Sequence, residues 1–215
     1  INPLRGQNNV QGACDMGALP NNYPGYQKVY DNTARLKFEK VWGVTLDSNV
    51  GLSLPHILNG AYNNLIKFMY VMGENPIVSD PDTNHVKASL RNLDFLVVQD
   101  IFLTETAEFA DIVLPASTYA EKDGTFTNTE RRVQLVRKAI EPVGNSKPDG
   151  LIIQELMQLL GYPQSIMTPK EIMDEISKLT PIYSGVDYNR IDPLGLQWPV
   201  KDKSHMGTKF LHKNE

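Results

Sequence analysis

The stretch Leu93–Ala116, LDFLVVQDIFLTETAEFADIVLPA, decides the fold. The apolar run Phe95–Val98 stops at Gln99-Asp100, and a second run, Ile112–Leu114, ends at a proline. The connection between them is long enough for a short helix, which Thr104 would open. Just upstream, Lys67–Met72 (KFMYVM) is a third buried-type strand, running into Gly73-Glu74-Asn75-Pro76. Between the first two strands lies a helix with Asn84 as N-cap and Val86 and Leu90 on one face. Strand, helix, strand, helix, strand is the pattern of parallel β with crossover helices, so the fold class is α/β. Near-continuous apolarity predicts strands with helices over both faces, and Met69 and Met72 as core residues.

Working outward, Thr33–Val41 predicts a helix, with Leu36 and Phe38 through Trp42 on its apolar side and Gly43 as its stop. Leu54–Ile66 predicts another, with Pro55 where a missing N–H costs nothing. Residues 5–30, rich in Gly, Asn, Pro and Gln, predict a long ordered loop or short turns. After Pro115 the character changes. Thr125–Val136 (TFTNTERRVQLV) alternates and is polar, as in a hairpin or exposed ribbon. Pro142–Asp149 is a linker, and Asp149 is positioned to cap the apolar helix Leu151–Leu160, which Gly161 ends. Thr168-Pro169-Lys170-Glu171 has the form of a capping box. Residues 181–215 look irregular.

The 215 residues are 41% hydrophobic and 21% charged, ordinary globular values for one or two domains. A net charge of −4 gives no nucleic-acid surface. No apolar run approaches the ~20 residues of a membrane span, and no signal peptide is evident, so a cytoplasmic location is expected. One cysteine, Cys14, excludes an internal disulfide framework and any multi-cysteine metal site within these residues. The chain starts INPLRG and stops at HKNE without the signals of a natural terminus, which predicts a piece of a longer polypeptide.

In open α/β sheets ligands bind outside the carboxyl ends of the strands. Gly73 lets a ligand approach the backbone, and Asn75 offers a donor and an acceptor. Asp100, at a strand tip, can accept from ribose hydroxyls or from the N–H edge of guanine. Asn-Pro is equally the composition of a plain turn, and Asp after a strand that of a cap. Neither a Gly-x-Gly-x-x-Gly fingerprint nor a Walker loop is present, so an ordinary NAD or ATP site is not expected. His56, His85, His205 and His212 are scattered without metal-ligand spacing. Ser117 lacks a nucleophile-elbow context, and Cys14 reads as a small hydrophobe. Glu130-Arg131-Arg132 reads as a solvated or ion-paired face whose arginines could also contact a cofactor.

Five segments, taken in order, carry a resemblance: Arg5–Tyr26 (RGQNNVQGACDMGALPNNYPGY), Val71–Asp82 (VMGENPIVSDPD), Val97–Ala116 (VVQDIFLTETAEFADIVLPA), Glu121–Gln134 (EKDGTFTNTERRVQ) and Gly195–Val200 (GLQWPV). Together they resemble the catalytic subunit of molybdopterin-dependent formate dehydrogenase, of the dimethyl-sulfoxide-reductase superfamily, over nearly the whole chain. The resemblance implies a Rossmann-like, mostly parallel sheet flanked by helices, plus a smaller ribbon and helix region of a second domain. It implies molybdopterin guanine dinucleotide with molybdenum or tungsten. Gly73, Glu74 and Asn75 would lie along its phosphates and ribose, and Gln99 and Asp100 at its nucleoside end. Lys122 and Asp149 would also contact it, and Gln7 would sit near the pterin or metal end. Arg5 would stand beside the metal and orient formate by two parallel hydrogen bonds, a role that suits a guanidinium.

The resemblance also implies a 4Fe-4S cluster held by cysteines outside this chain, and a Cys or selenocysteine metal ligand that is likewise absent from it. Formate and carbon dioxide, the rest of the subunit and electron-transfer subunits are the implied partners. The implied layout is 1–119 as the dinucleotide-binding region and 120–148 as a ribbon directed to the iron–sulfur domain. Residues 149–170 would be a helix returning to the α/β domain, and 171–215 a helix and connection. Two alternatives stay open: another molybdopterin oxidoreductase such as a nitrate reductase, and a non-catalytic relative like the large cluster-bearing subunit of complex I.

Overall fold

The computed structural model describes residues 6–192 and 194–211. In chain order, the first half runs α1 (Val10–Asp15), β1 (Asn22–Tyr23), β2 (Gln27–Lys28), α2 (Asn32–Trp42), α3 (Leu54–Tyr62), β3 (Phe68–Met72), α4 (Pro76–Ser79), α5 (Thr83–Arg91) and β4 (Phe95–Asp100). The second half runs β5 (Ile112–Pro115), β6 (Gly124–Thr127), β7 (Arg132–Val136), α6 (Asp149–Leu159), α7 (Pro169–Leu179), α8 (Tyr188–Ile191) and β8 (Leu196–Gln197).

The chain divides into two compact units. One takes Leu52–Lys122 and Lys138–Ile166; the other takes the described residues up to Gly51, Asp123–Arg137 and those from Met167. This differs from the layout expected above. Residues before Gly51 leave the α/β unit, and the segment after Arg137 rejoins it. The returning segment is tied down by hydrogen bonds: Ala139 N–H donates to Ala120 O at 2.7 Å, and Ser117 N–H to Lys147 O at 2.9 Å.

The α/β unit is built on a parallel sheet of order β3-β4-β5. Met69, Val71, Leu96 and Val98 form one face and bury against Leu58 and Ala61 of α3 and Val86 and Leu90 of α5. The opposite face is more open: Phe68, Met72 and Phe95 are exposed, so Met72 is not core while Met69 is. Phe68 and Phe95 are register partners and stack at 6.0 Å between centroids.

Several local expectations are corrected. The strand does not stop at Val98: Gln99 and Asp100 are the last two residues of β4, paired with Leu114 and Pro115 of β5. The connection opened by Thr104 forms only a 3-10 turn, Ala107–Phe109. The cap of α5 is Asp82, whose side chain accepts from His85 N–H, rather than Asn84. Asp149 lies inside the first turn of α6 behind Pro148 and makes no cap bond. Its carboxylate is used elsewhere.

The other unit holds two clusters. Tyr23, Val29, Ala34, Phe38 and Leu179 form one, so α2 buries Ala34 and Phe38 while Leu36 and Val41 stay exposed. Val133, Met173, Tyr183, Val186, Ile191, Leu196, Trp198 and Val200 form the second. The polar alternation of Thr125–Val136 is an antiparallel hairpin, β6-β7, and β8 from the irregular-looking tail adds a third strand to it. The loop expected over residues 5–30 contains α1 and the β1-β2 ribbon. α7 opens with the capping box Thr168–Glu171.

Candidate functional site

The carboxyl ends of β3, β4 and β5 gather most of the polar residues singled out in the sequence. Gly73 follows β3 with φ +63°, the left-handed region where a side chain is strained, and its N–H donates to Gln99 O at 2.9 Å. A Cβ there would meet nothing within 4 Å, so the space above the peptide is open. Half-buried Glu74 follows. Asn75 binds the neighbouring loop: its Nδ2 donates to Glu105 Oε2 at 2.7 Å, and its Oδ1 accepts from Thr106 Oγ1 at 2.7 Å. That bond from Asn75 is the first cause holding the Glu105 carboxyl below the usual range.

Gln99 is fully buried and its amide is committed at both ends. Its Oε1 accepts from the Tyr70 hydroxyl, and its Nε2 donates to Asp149 Oδ1 at 2.7 Å. Burial, and then the charge of Asp149, push the Tyr70 hydroxyl up, so it stays a donor. Lys122 pairs with the other oxygen of Asp149 and donates to Ser117 O at 3.0 Å. Asp100 is half-buried, and its Oδ1 accepts from Ile101 N–H at 2.7 Å.

Asp149 reaches this edge because the segment before it runs along β5. Ala116 and Lys147 form a parallel bridge, and Lys147 N–H donates to Pro115 O at 3.1 Å. α6 therefore begins at the tip of the sheet. Sequence reasoning missed two members of this cluster. Tyr70, a hydroxyl in an otherwise apolar strand, was visible only as a strand residue. Ser117 is 1% exposed, and its Oγ has no hydrogen-bond partner among the described residues.

The remaining site candidates lie in the other unit. Gln7 is exposed and lines a hollow of ≈ 340 Å³ together with Asn9, Gln11, Thr127 and Asn128. Arg5 lies outside the described residues. Arg131 serves the fold: it donates to the carbonyls of Trp198 and Thr208 and lies 5.3 Å from the Trp198 ring centroid. Arg132 pairs with Glu130 at 2.7 Å. In the same unit, fully buried Asp15 accepts from Gln11 Nε2 (2.8 Å), the Tyr26 hydroxyl (2.8 Å) and the Tyr183 hydroxyl (2.6 Å). Burial first, then Asp15, hold both phenols far above their usual range.

The molybdopterin oxidoreductase family matches residues 2–159. The chain belongs to that family. It is 58% identical, over all of its length, to the F420-dependent formate dehydrogenase subunit alpha of Methanocaldococcus jannaschii, of which it covers 32%. It is 51% identical, again over all of its length, to the F420-dependent formate dehydrogenase 2 subunit alpha of Methanococcus maripaludis, also covering 32%. The chain thus spans about a third of the length of these relatives. Acetylene hydratase from Pelobacter acetylenicus has a similar fold, with a TM-score of 0.55 at 22% identity over 79% of this chain and 24% of that one.

A molybdopterin cofactor is what this family binds, and the strand-tip residues fit such a group. They supply a cation (Lys122), carboxylates (Asp100, Asp149), amides (Asn75, Gln99) and an open backbone approach at Gly73. The buried Ser117 Oγ lacks a partner among the described residues, and a hydroxyl in that state is costly unless something bonds it. No helix among the described residues is long and apolar enough to cross a membrane.

Proposed function

We propose that this chain is the part of a formate dehydrogenase catalytic subunit that grips the dinucleotide form of the molybdopterin cofactor. The observation that carries this is the Tyr70–Gln99–Asp149–Lys122 cluster at the carboxyl edge of the sheet. In open α/β sheets ligands are held outside the carboxyl ends of the strands, which is where this cluster stands. Lys122 faces phosphate charge. Asp100, with one carboxylate oxygen not engaged by Ile101, accepts from the N–H edge of guanine. Gly73 lets the chain lie against the ligand, Glu74 and Asn75 lie along its phosphates and ribose, and Asn75 also holds the adjoining loop.

The cofactor, when bound, supplies a molybdenum or tungsten centre able to accept electrons from the substrate. Arg5 orients formate by paired hydrogen bonds, and Gln7 lies towards the pterin end. The full-length assembly oxidises formate to carbon dioxide, passes electrons through a 4Fe-4S cluster to partner subunits, and works in the cytoplasm. High identity to two formate dehydrogenase alpha subunits favours this over a nitrate reductase or a non-catalytic relative.

The test is made in the full-length subunit. Asp100→Ala and Lys122→Ala are expected to lower the pterin released per mole of protein. Wild-type pterin content in both variants would sink the strand-tip assignment. Substrate is tested separately: formate-dependent reduction of an artificial acceptor by the wild-type enzyme is expected, and its absence would refute the formate assignment.

A further inference from the structure

We propose that β3 is an interior strand of a wider sheet in the full-length protein, its outer edge covered by a parallel strand from the part of the same polypeptide N-terminal to this chain. The backbone shows which groups that strand would meet. Lys67 O accepts the N–H groups of Asp94 and Phe95, and Gly73 N–H donates to Gln99 O, so the odd-numbered residues turn towards β4. In a parallel strand, alternate residues bond to opposite neighbours. Phe68, Tyr70 and Met72 therefore turn their backbone N–H and C=O to the other side, where no strand among the described residues pairs with β3. Strands built to stay at an edge are blunted by charge, proline or a bulge. Phe68–Met72 (FMYVM) carries no charge and no proline, and it pairs with β4 residue for residue, without a bulge. The side chains of Phe68 and Met72 are also exposed. The far side of the sheet is guarded differently: β5 ends on Pro115, and just beyond it Ala116 pairs with Lys147.

Handedness supplies the direction. The crossover from β3 to β4 runs through α5, which packs on the face made by Met69, Val71, Leu96 and Val98. α3 packs on that same face and delivers the chain straight into β3. Crossovers between parallel strands share one hand. Two crossovers of one hand over one face advance in the same direction. The crossover that ends at β3 through α3 therefore comes from the side of β3 away from β4, which is the open edge. Its first strand precedes α3 in sequence, and none of the described residues before α3 provides it, because β1 and β2 pair with each other. The chain covers 32% of a relative that it matches over its whole length, so most of such a polypeptide lies outside it. The part N-terminal to this chain is the part that feeds α3. The proposal rests on the sheet alone: a failure of the pterin test would leave it standing.

Amide hydrogen exchange of the full-length protein, resolved to single residues by fragmentation in the mass spectrometer, reads the outward N–H groups. Tyr70 and Met72 are expected to be slowed as strongly as Val71, whose N–H faces β4. Exchange of Tyr70 and Met72 at the unprotected rate overturns the proposal. Cryo-electron microscopy of the same protein identifies the occupant. A parallel strand from residues N-terminal to this chain is expected beside β3. A helix, an antiparallel strand, a strand from the C-terminal part, another subunit or a second copy in that place each overturns it. Met72→Pro and Met72→Ala separate the backbone from the side chain, since only proline removes the outward N–H. Proline is tolerated where that N–H meets solvent and not where a strand accepts it. The proline variant is expected to melt several degrees below the alanine variant, and equal midpoints would count against a covering strand.

Discussion

Gln99 and Asp149, 50 residues apart in sequence, share a 2.7 Å hydrogen bond that joins the end of β4 to the first turn of α6. The bond explains why a fully buried polar side chain sits in an apolar strand. Gln99 has a donor behind it in Tyr70 and an acceptor ahead of it in Asp149, so its desolvation is offset on both sides.

Replacing Gln99 with Leu keeps the volume and removes both bonds. Tyr70 and Asp149 would lose a partner in a partly buried place, at a cost of about 1–3 kcal/mol. A lower urea midpoint with an unchanged slope is the expected result. A midpoint equal to wild type would mean that the bond contributes nothing.

Asp149→Ala strands Lys122, whose side chain is 22% exposed, and Gln99 Nε2 together. Solvent screens part of the loss, so about 1–3 kcal/mol is expected. Combining it with Gln99→Leu should give less than the sum, because the two share one bond. Strict additivity in thermal melts would show that the residues act independently.

Gly195 takes φ +71°, and a Cβ there would lie 2.6 Å from Val133 O, at the point where β8 joins β7. Gly195→Ala should cost about 1–3 kcal/mol of strain and loosen that strand. Faster amide exchange at the N–H of Trp198, which donates to Arg131 O, is the readout.

Glu121 is buried, and its carboxylate accepts the N–H of Thr118 at 2.6 Å and of Val143 at 2.7 Å. The Thr118 bond foremost holds the carboxyl below the ordinary glutamate value of 4.5. A carboxyl lowered in the folded state contributes stability that is complete above the unfolded value and lost as pH falls through the folded one. Stability should therefore decline below pH 4.5, and Glu121→Gln should flatten that part of the profile. An unchanged acid limb in the variant would remove Glu121 from the account.

What the residues announced locally was the element types. Continuous apolar runs separated by helical patterns named the parallel sheet, polar alternation named the β6-β7 hairpin, and Thr168-Pro-Lys-Glu named the start of α7. Gly73, Gln99, Asp100 and Lys122 could be singled out because motif and strand-end position are both properties of a short segment. Other features depend on pairing across long separations, and only the tertiary structure decided them. Gln99 and Asp100 are strand residues because β5 offers register partners, and Asp149 is an ion-pair member because Lys147 lies along β5. The tail contributes β8 because β7 has an open edge, and residues before Gly51 leave the sheet because their apolar side chains find Leu179 instead. In each case the local sequence is compatible with more than one outcome, and a contact with a distant segment (strand pairing, an ion pair or apolar burial) selects one.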